Sequence, residues 1–183
     1  MTGGTYGWSI DEDTELVNLQ NSILNGEVVT REPAYYAGGT AAAHSGQDWG
    51  NTYAEVDMSA QHMWYVQNGQ VVLETDVVTG EPIPSKITPE GVYSLMWKQP
   101  NSVLVGDINP DTGEPAYRTK VKYWMQVTSS GVGFHDATWQ TAFGGTLYQI
   151  PGTGSHGCIN MPLDQAGALF NMIEPGTPVI FHW

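Results

Sequence analysis

The feature that most constrains this chain is a change of hydrophobic period after residue 50. From Thr52 onward, apolar and polar residues alternate over short segments, as they do in strands that bury one face. Two such segments flank Asn68-Gly69, a pair that favours a two-residue hairpin because both central residues of a type I′ turn need a positive φ. The pattern predicts a mainly β domain over residues 51–183.

Two segments show a helical period instead. Residues 11–25 carry Leu16, Leu19 and Ile23 on one face and begin with acidic residues, which favour a helix N-terminus. A second helix is expected between Pro162 and Pro175-Gly176. Strands are expected at residues 53–58, 61–66, 70–78, 91–97, 121–127, 131–135 and 177–182, with a long loop at 136–154. Residues 26–50 have connector composition, so residues 1–50 are interpreted as the remnant of a preceding domain plus a linker.

Charge and length exclude several classes of function. The 183 residues include 6 basic and 19 acidic side chains, a net charge of −13, which repels nucleic-acid phosphates and anionic lipid. No apolar run approaches the roughly 20 residues of a membrane span. The single cysteine cannot form an intrachain disulfide, so it is either an inert residue or a working thiol.

The local sequence of that cysteine, Ser155-His156-Gly157-Cys158-Ile159-Asn160, favours the working thiol. A glycine before a nucleophile gives a substrate carbonyl room and lets backbone N–H groups face a developing oxyanion. A free thiol is only a few per cent ionised at neutral pH and needs a base. His135 ends a predicted strand directly before the long loop, where a base would be held firmly yet face substrate. A turn cysteine, or a zinc site that lacks a fourth ligand, is the alternative.

Three stretches resemble one known family. Residues Ser155 to Asn160, together with Gly133-Phe134-His135-Asp136-Ala137-Thr138-Trp139 and Thr88-Pro89-Glu90-Gly91-Val92-Tyr93, strongly resemble the L,D-transpeptidase (YkuD-like) catalytic domain. The resemblance covers residues 51–183. It implies an L,D-transpeptidase-like β-sandwich with one helix in its C-terminal region, preceded here by a short, partly helical segment.

The resemblance also implies an activity. Cys158 would attack a peptidoglycan stem peptide, release D-alanine and form a thioester, which the amine of a second stem would resolve as a 3→3 crosslink. His135 would be the base, the N–H groups of Gly157 and Cys158 the oxyanion hole, and Ser155 and His156 would shape the loop and hold His135. No metal or cofactor is expected. An L,D-carboxypeptidase, which uses water as acceptor, and a wall-binding module with an inactive site remain alternatives.

Substrate contacts are implied in the same way. The residues expected to meet substrate are Asn160, Trp139, Tyr123, Ser130 and Gly131, with residues 140–154 as the loop over the cleft. Core packing is an equally open interpretation of Tyr123. Many family members carry arginine where this chain has Asn160, so substrate anchoring is expected to differ there. The expected partners are stem peptides, with carbapenems as covalent inhibitors, and the expected location is the cell wall or envelope, reached by secretion or an N-terminal anchor.

Overall fold

The computed structural model describes residues 5–6, 9–36 and 49–183. They divide into two compact units, the first within residues 6–50 and the second containing residues 51–183 together with Thr5. Strands β1 to β11 are Ser9–Ile10, Tyr35–Tyr36, Tyr53–Asp57, His62–Gln67, Gln70–Asp76, Gly91–Ser94, Trp97–Val105, Arg118–Gln126, Gly133–Asp136, Ile159–Met161 and Pro178–His182. Helix α1 spans Glu12–Asn25 and helix α2 spans Leu163–Met172. Neither helix is long and apolar enough to cross a membrane, and the described ranges contain no other candidate.

The first unit contains α1 and the antiparallel pair β1 and β2. The side chain of Asp11 accepts a hydrogen bond from the backbone N–H of Thr14, and Gly26 ends the helix at φ 67°. The helix predicted over residues 11–25 is therefore confirmed, although its apolar residues are exposed. Of the connector predicted over residues 26–50, residues 37–48 lie outside the described residues and Tyr35–Tyr36 form β2, and the interpretation of the unit as a domain remnant stays a prediction.

The second unit is the predicted mainly β domain, and it contains two sheets. The larger has the strand order β5-β4-β3-β11-β6, in which β11 runs parallel to β3 and antiparallel to β6. The hairpin between β4 and β5 turns at Asn68 (φ 52°) and Gly69 (φ 79°), as the sequence predicts.

The smaller sheet has the order β10-β9-β8-β7 and positions the candidate site. The strand predicted over residues 91–97 is wrong beyond Ser94, because Trp97 already begins β7, which pairs with β8 in the other sheet. Strand β10 pairs in parallel with β9 and directly follows the segment that contains the single cysteine.

A continuous core joins both sheets to α2. Phe134 of β9 contacts Phe181 of β11 with ring centroids 6.1 Å apart, and Leu169 of α2 is fully buried among them. The C-terminal end of α2 is held by Lys98 on β7, whose Nζ donates to the carbonyl groups of Phe170 (2.9 Å) and Ile173 (2.7 Å). The core thereby fixes β9 and β10 against a rigid frame.

Candidate active site

Strands β9 and β10 bring the predicted base and nucleophile to one face of the smaller sheet. In the parallel register His135 lies opposite Asn160. Cys158 precedes Asn160 by two residues, and side chains two apart point to the same side of an extended chain. All three residues line one cavity of about 480 Å³.

The thiol of Cys158 lies in a setting that keeps it protonated. Its Sγ donates to the backbone carbonyl of Gly131 at 3.5 Å. Cys158 is partly exposed at the cavity, yet burial raises the pKa of its thiol to about 11, against a smaller opposing effect of the Gly133 backbone N–H. At rest this residue is therefore a neutral thiol and not a thiolate.

The imidazole of His135 is buried, with 3 % of its surface exposed. Its Nδ1 lies 3.1 Å from the backbone carbonyl of Asp136, which can only accept, so Nδ1 carries the proton and Nε2 keeps its lone pair. Burial lowers the pKa of His135, against smaller upward effects of the Asp136 hydrogen bond and charge. The ring packs between Trp124 and Trp139, with centroids 6.0 and 5.8 Å away. The result is a neutral base of fixed tautomer.

The hydroxyl of Ser155 shapes the loop before the nucleophile. It accepts from the N–H of Gly157 at 3.0 Å and donates to the carbonyl of Cys158 at 2.5 Å. The Gly157 N–H, expected in the oxyanion hole, is thus already engaged. In the described part of the chain, the N–H of Cys158 has no acceptor, so it is the free donor at this site. His135 is held by Asp136, not by Ser155 or His156 as expected.

The remaining cavity walls are aromatic and polar. Trp139 and His156 both line the cavity, and the His156 ring packs on Tyr117 with centroids 5.2 Å apart. Asn160 is 3 % exposed and its Nδ2 donates to Oε1 of Gln140 at 2.5 Å. Its Oδ1 is buried and has no hydrogen-bond partner among the described residues. Asn160 therefore contributes to the cavity lining an amide that Gln140 holds in place.

Comparison with known proteins assigns this chain to one family. The family model of the L,D-transpeptidase catalytic domain (YkuD) matches residues 51–181. The chain belongs to the L,D-transpeptidase catalytic domain family. A cysteine-to-serine variant of the Enterococcus faecium L,D-transpeptidase has a TM-score of 0.80 at 41 % identity, over 98 % of this chain and 67 % of that chain.

Two further relatives agree with this assignment. The catalytic domain of the E. faecium L,D-transpeptidase acylated by ertapenem has a TM-score of 0.61 at 46 % identity, over 72 % of this chain and 97 % of that chain. L,D-transpeptidase 1 of Mycobacterium tuberculosis is 30 % identical over 67 % of this chain and 47 % of its own length. The chain spans less than half the length of the curated relatives it matches.

Not every predicted contact residue of this L,D-transpeptidase domain reaches the cavity. Tyr123 packs on α2 instead, with its ring 5.3 Å from that of Phe170, because it lies one residue before Trp124 and so faces the other side of β8. Ser130 bonds to the hydroxyl of Thr128. Gly131 reaches the site only through its carbonyl, which accepts from the thiol.

Sequence reasoning missed two residues that support the site. The Nε2 of Gln140 donates to the carbonyl of Thr153 at 3.3 Å, so its Oε1 faces Asn160 and fixes that amide. Glu81 is buried, and its Oε1 accepts from Lys86 Nζ at 2.8 Å and from the Gly152 N–H at 3.0 Å. Gln140 directly follows Trp139 and could have been suspected from that position, whereas nothing in the sequence around Glu81 marks its contact with residue 152.

The zinc alternative finds no support in the geometry. Over residues 5–6, 9–36 and 49–183, no three His, Cys, Asp or Glu side chains converge as metal ligands do.

Proposed function

We propose that this chain catalyses acyl transfer on peptidoglycan stem peptides through a thioester at Cys158, releasing D-alanine and forming 3→3 crosslinks between stems. The observation that carries the proposal is the shared cavity of Cys158 and His135 in a domain of the L,D-transpeptidase family. An acylated relative, the E. faecium domain carrying ertapenem, supports covalent chemistry in this fold.

The first half-reaction starts from a neutral pair. When a carbonyl carbon of the donor stem approaches Sγ of Cys158, Nε2 of His135 takes the thiol proton and the sulfur adds to the carbonyl. The π electrons move to the carbonyl oxygen, where the N–H of Cys158 stabilises the charge. Collapse breaks the carbon–nitrogen bond, and the proton on His135 passes to the leaving amine of D-alanine.

The second half-reaction reverses these roles. The side-chain amine of an acceptor stem attacks the thioester, His135 takes a proton from that amine, and the carbon–sulfur bond breaks. The proton then returns to the sulfur and restores the resting thiol. Water in place of the amine would give a tripeptide, which is the L,D-carboxypeptidase alternative.

Substrate recognition depends on hydrogen bonds and not on ion pairs. Among the described residues that line the cavity there is no Asp, Glu, Lys or Arg. Asn160 and Gln140 contribute amide side chains to the lining, and Trp139 offers a flat apolar wall. A stem peptide, rich in amides, matches this lining. Such a substrate lies outside the membrane, so we assign the protein to the cell envelope.

The test uses the reduced protein and a disaccharide-tetrapeptide, with products followed by mass spectrometry. Crosslinked dimers and free D-alanine are expected, and Cys158→Ala should yield neither while keeping its unfolding temperature. Tripeptide without dimer would favour the carboxypeptidase, and absence of D-alanine release would contradict both activities. Ertapenem should add to Cys158, the one cysteine of the chain, in intact mass spectra.

A further inference from the structure

A buried threonine behind the catalytic loop is not used by the mechanism above. Thr88 lies between β5 and β6 and is 2 % exposed. Its hydroxyl donates to the carbonyl of Gly157 at 2.8 Å and accepts from the N–H of Gly80 at 3.0 Å. A backbone carbonyl only accepts and a backbone N–H only donates, so the direction of both bonds is fixed.

The carbonyl that Thr88 holds belongs to the same peptide unit as the N–H of Cys158. This unit is planar and trans, so its C=O and N–H point in opposite directions. Fixing the Gly157 carbonyl toward Thr88 therefore fixes the Cys158 N–H away from Thr88. The neighbouring N–H of Gly157 is engaged by Ser155, which leaves the Cys158 N–H as the donor free to meet an oxyanion.

Two glycines let the backbone come close enough for this contact. Gly157 has a φ of 117°, and a Cβ there would lie 3.2 Å from Cγ2 of Val132. A Cβ on Gly80 would overlap the carbonyl of Lys86 and lie 3.0 Å from the Cα of Gly157. The Gly80 and Gly157 backbones thus pack against each other, and the Thr88 hydroxyl joins them.

We propose that Thr88 is a positioning residue that aims the Cys158 N–H at the oxyanion formed during acylation. It touches no reacting atom and acts only through the Gly157–Cys158 peptide. The inference rests on the proposed acyl transfer at Cys158. Since a misplacement of about 1 Å costs on the order of 100-fold in rate, loss of this hydroxyl is expected to slow acylation by roughly 10-fold to 100-fold.

The test compares two reactions of the same thiol. Ertapenem acylates through an oxyanion, whereas iodoacetamide alkylates by direct displacement and forms none. For Thr88→Val, which replaces the hydroxyl by a methyl group, the ratio of acylation rate to alkylation rate should fall roughly 10-fold to 100-fold below that of the wild type. Thr88→Ser keeps the hydroxyl and should restore the ratio to within about threefold of the wild-type ratio. Intact mass spectrometry measures both rates at one pH.

A matched control separates positioning from general loosening. Thr79 is also buried, and its hydroxyl accepts from Nε2 of Gln61 at 2.7 Å, away from the Gly157 carbonyl. Thr79→Val should leave the rate ratio unchanged. If Thr88→Val does not fold, Thr88→Ala removes the same hydroxyl without a methyl group in its place and gives the same readout.

Each outcome decides the matter. The role of Thr88 would be overturned if the ratio of acylation rate to alkylation rate is unchanged in both Thr88→Val and Thr88→Ala, or if both rates fall equally. It would also be overturned if Thr88→Ser lowers this ratio as much as Thr88→Val does. A wild-type protein that iodoacetamide alkylates but ertapenem never acylates would overturn the proposed acyl transfer itself, and the inference with it.

Discussion

The protonation state of Cys158 gives a sharp prediction about its reactivity with pH. Burial raises the pKa of this thiol to about 11, and the neighbouring His135 has a lowered pKa. The pair is therefore neutral at pH 7, unlike a thiolate–imidazolium pair, whose thiolate persists into the acidic range. Alkylation of Cys158 by iodoacetamide should then rise with pH without an early plateau.

The size of the effect follows from two opposing factors. With a pKa of about 11, the thiolate is about one part in ten thousand at pH 7, against roughly 3 % for an ordinary cysteine with a pKa of ~8.5. That difference is about 300-fold. A more basic thiolate is the better nucleophile, and at a Brønsted slope of ~0.4–0.5 this raises the alkylation rate about 10-fold. Alkylation of the folded protein at pH 7 is expected to be roughly 30-fold slower than that of an ordinary thiol.

The chain supplies its own reference, because it contains a single cysteine. Rates are measured between pH 6 and 10 for the folded protein and for the same protein unfolded in urea, by intact mass. The folded rate should increase about tenfold per pH unit through pH 10, and the unfolded rate should level off above its pKa of ~8.5. A folded-state plateau below pH 7 would refute the neutral pair, whatever the absolute rate, since steric hindrance lowers a rate without changing its pH dependence.

Three further variants test the supports of the site. Asn160→Leu removes the amide that donates to Gln140 at the cavity wall and should lower kcat/KM for the stem peptide about 10-fold, with iodoacetamide alkylation unchanged. Lys98→Met leaves two carbonyls at the end of α2 without a donor and should lower the free energy of unfolding by about 2 kcal/mol in urea denaturation. The Lys86 ammonium lowers the pKa of Glu81 most, and the Gly152 N–H lowers it further. The Glu81 carboxylate therefore stabilises the fold fully above its unfolded-state pKa of ~4.3, and this stabilisation is lost as pH falls below that value. In thermal unfolding measured at several acidic pH values, Glu81→Gln should make Tm depend less on pH than it does in the wild type.

The sequence correctly predicts those elements that are determined by residues close together in the chain. The turn at Asn68-Gly69 needs a positive φ that these two residues tolerate, and α2 has a proline before it and an apolar face. The candidate nucleophile and base rest on equally local features, because the glycine before Cys158 and the strand end at His135 are properties of neighbouring residues. The structure confirms the mainly β fold and brings this pair to one cavity.

Strands without an amphipathic pattern cannot be predicted from the sequence in this way. Strand β7 is exposed or half-buried along its whole length and contains Pro100, so the period-two argument has no signal there. It is an edge strand, where a proline is tolerated. Strand β10 has three residues, all buried, and depends on a parallel partner more than 20 residues earlier. Tyr123 failed as a contact residue for a related reason, since one residue of register decides which face of β8 it occupies.

The residues that hold the surroundings of Cys158 and His135 in place have long-range hydrogen bonds in common. Thr88, Gln140 and Glu81 each form a hydrogen bond to a segment distant in sequence: Thr88 to the Gly157 carbonyl, Gln140 to the Thr153 carbonyl and Glu81 to the Gly152 N–H. With a neutral thiol and a neutral base at rest, such fixed dipoles are what favour charge formation when a carbonyl arrives. Under the proposed mechanism, a reagent that offers a carbonyl uses the Cys158 N–H, whereas a simple alkylating agent gains nothing from it. The arrangement therefore favours acyl donors over other electrophiles at a thiol that is otherwise weakly reactive.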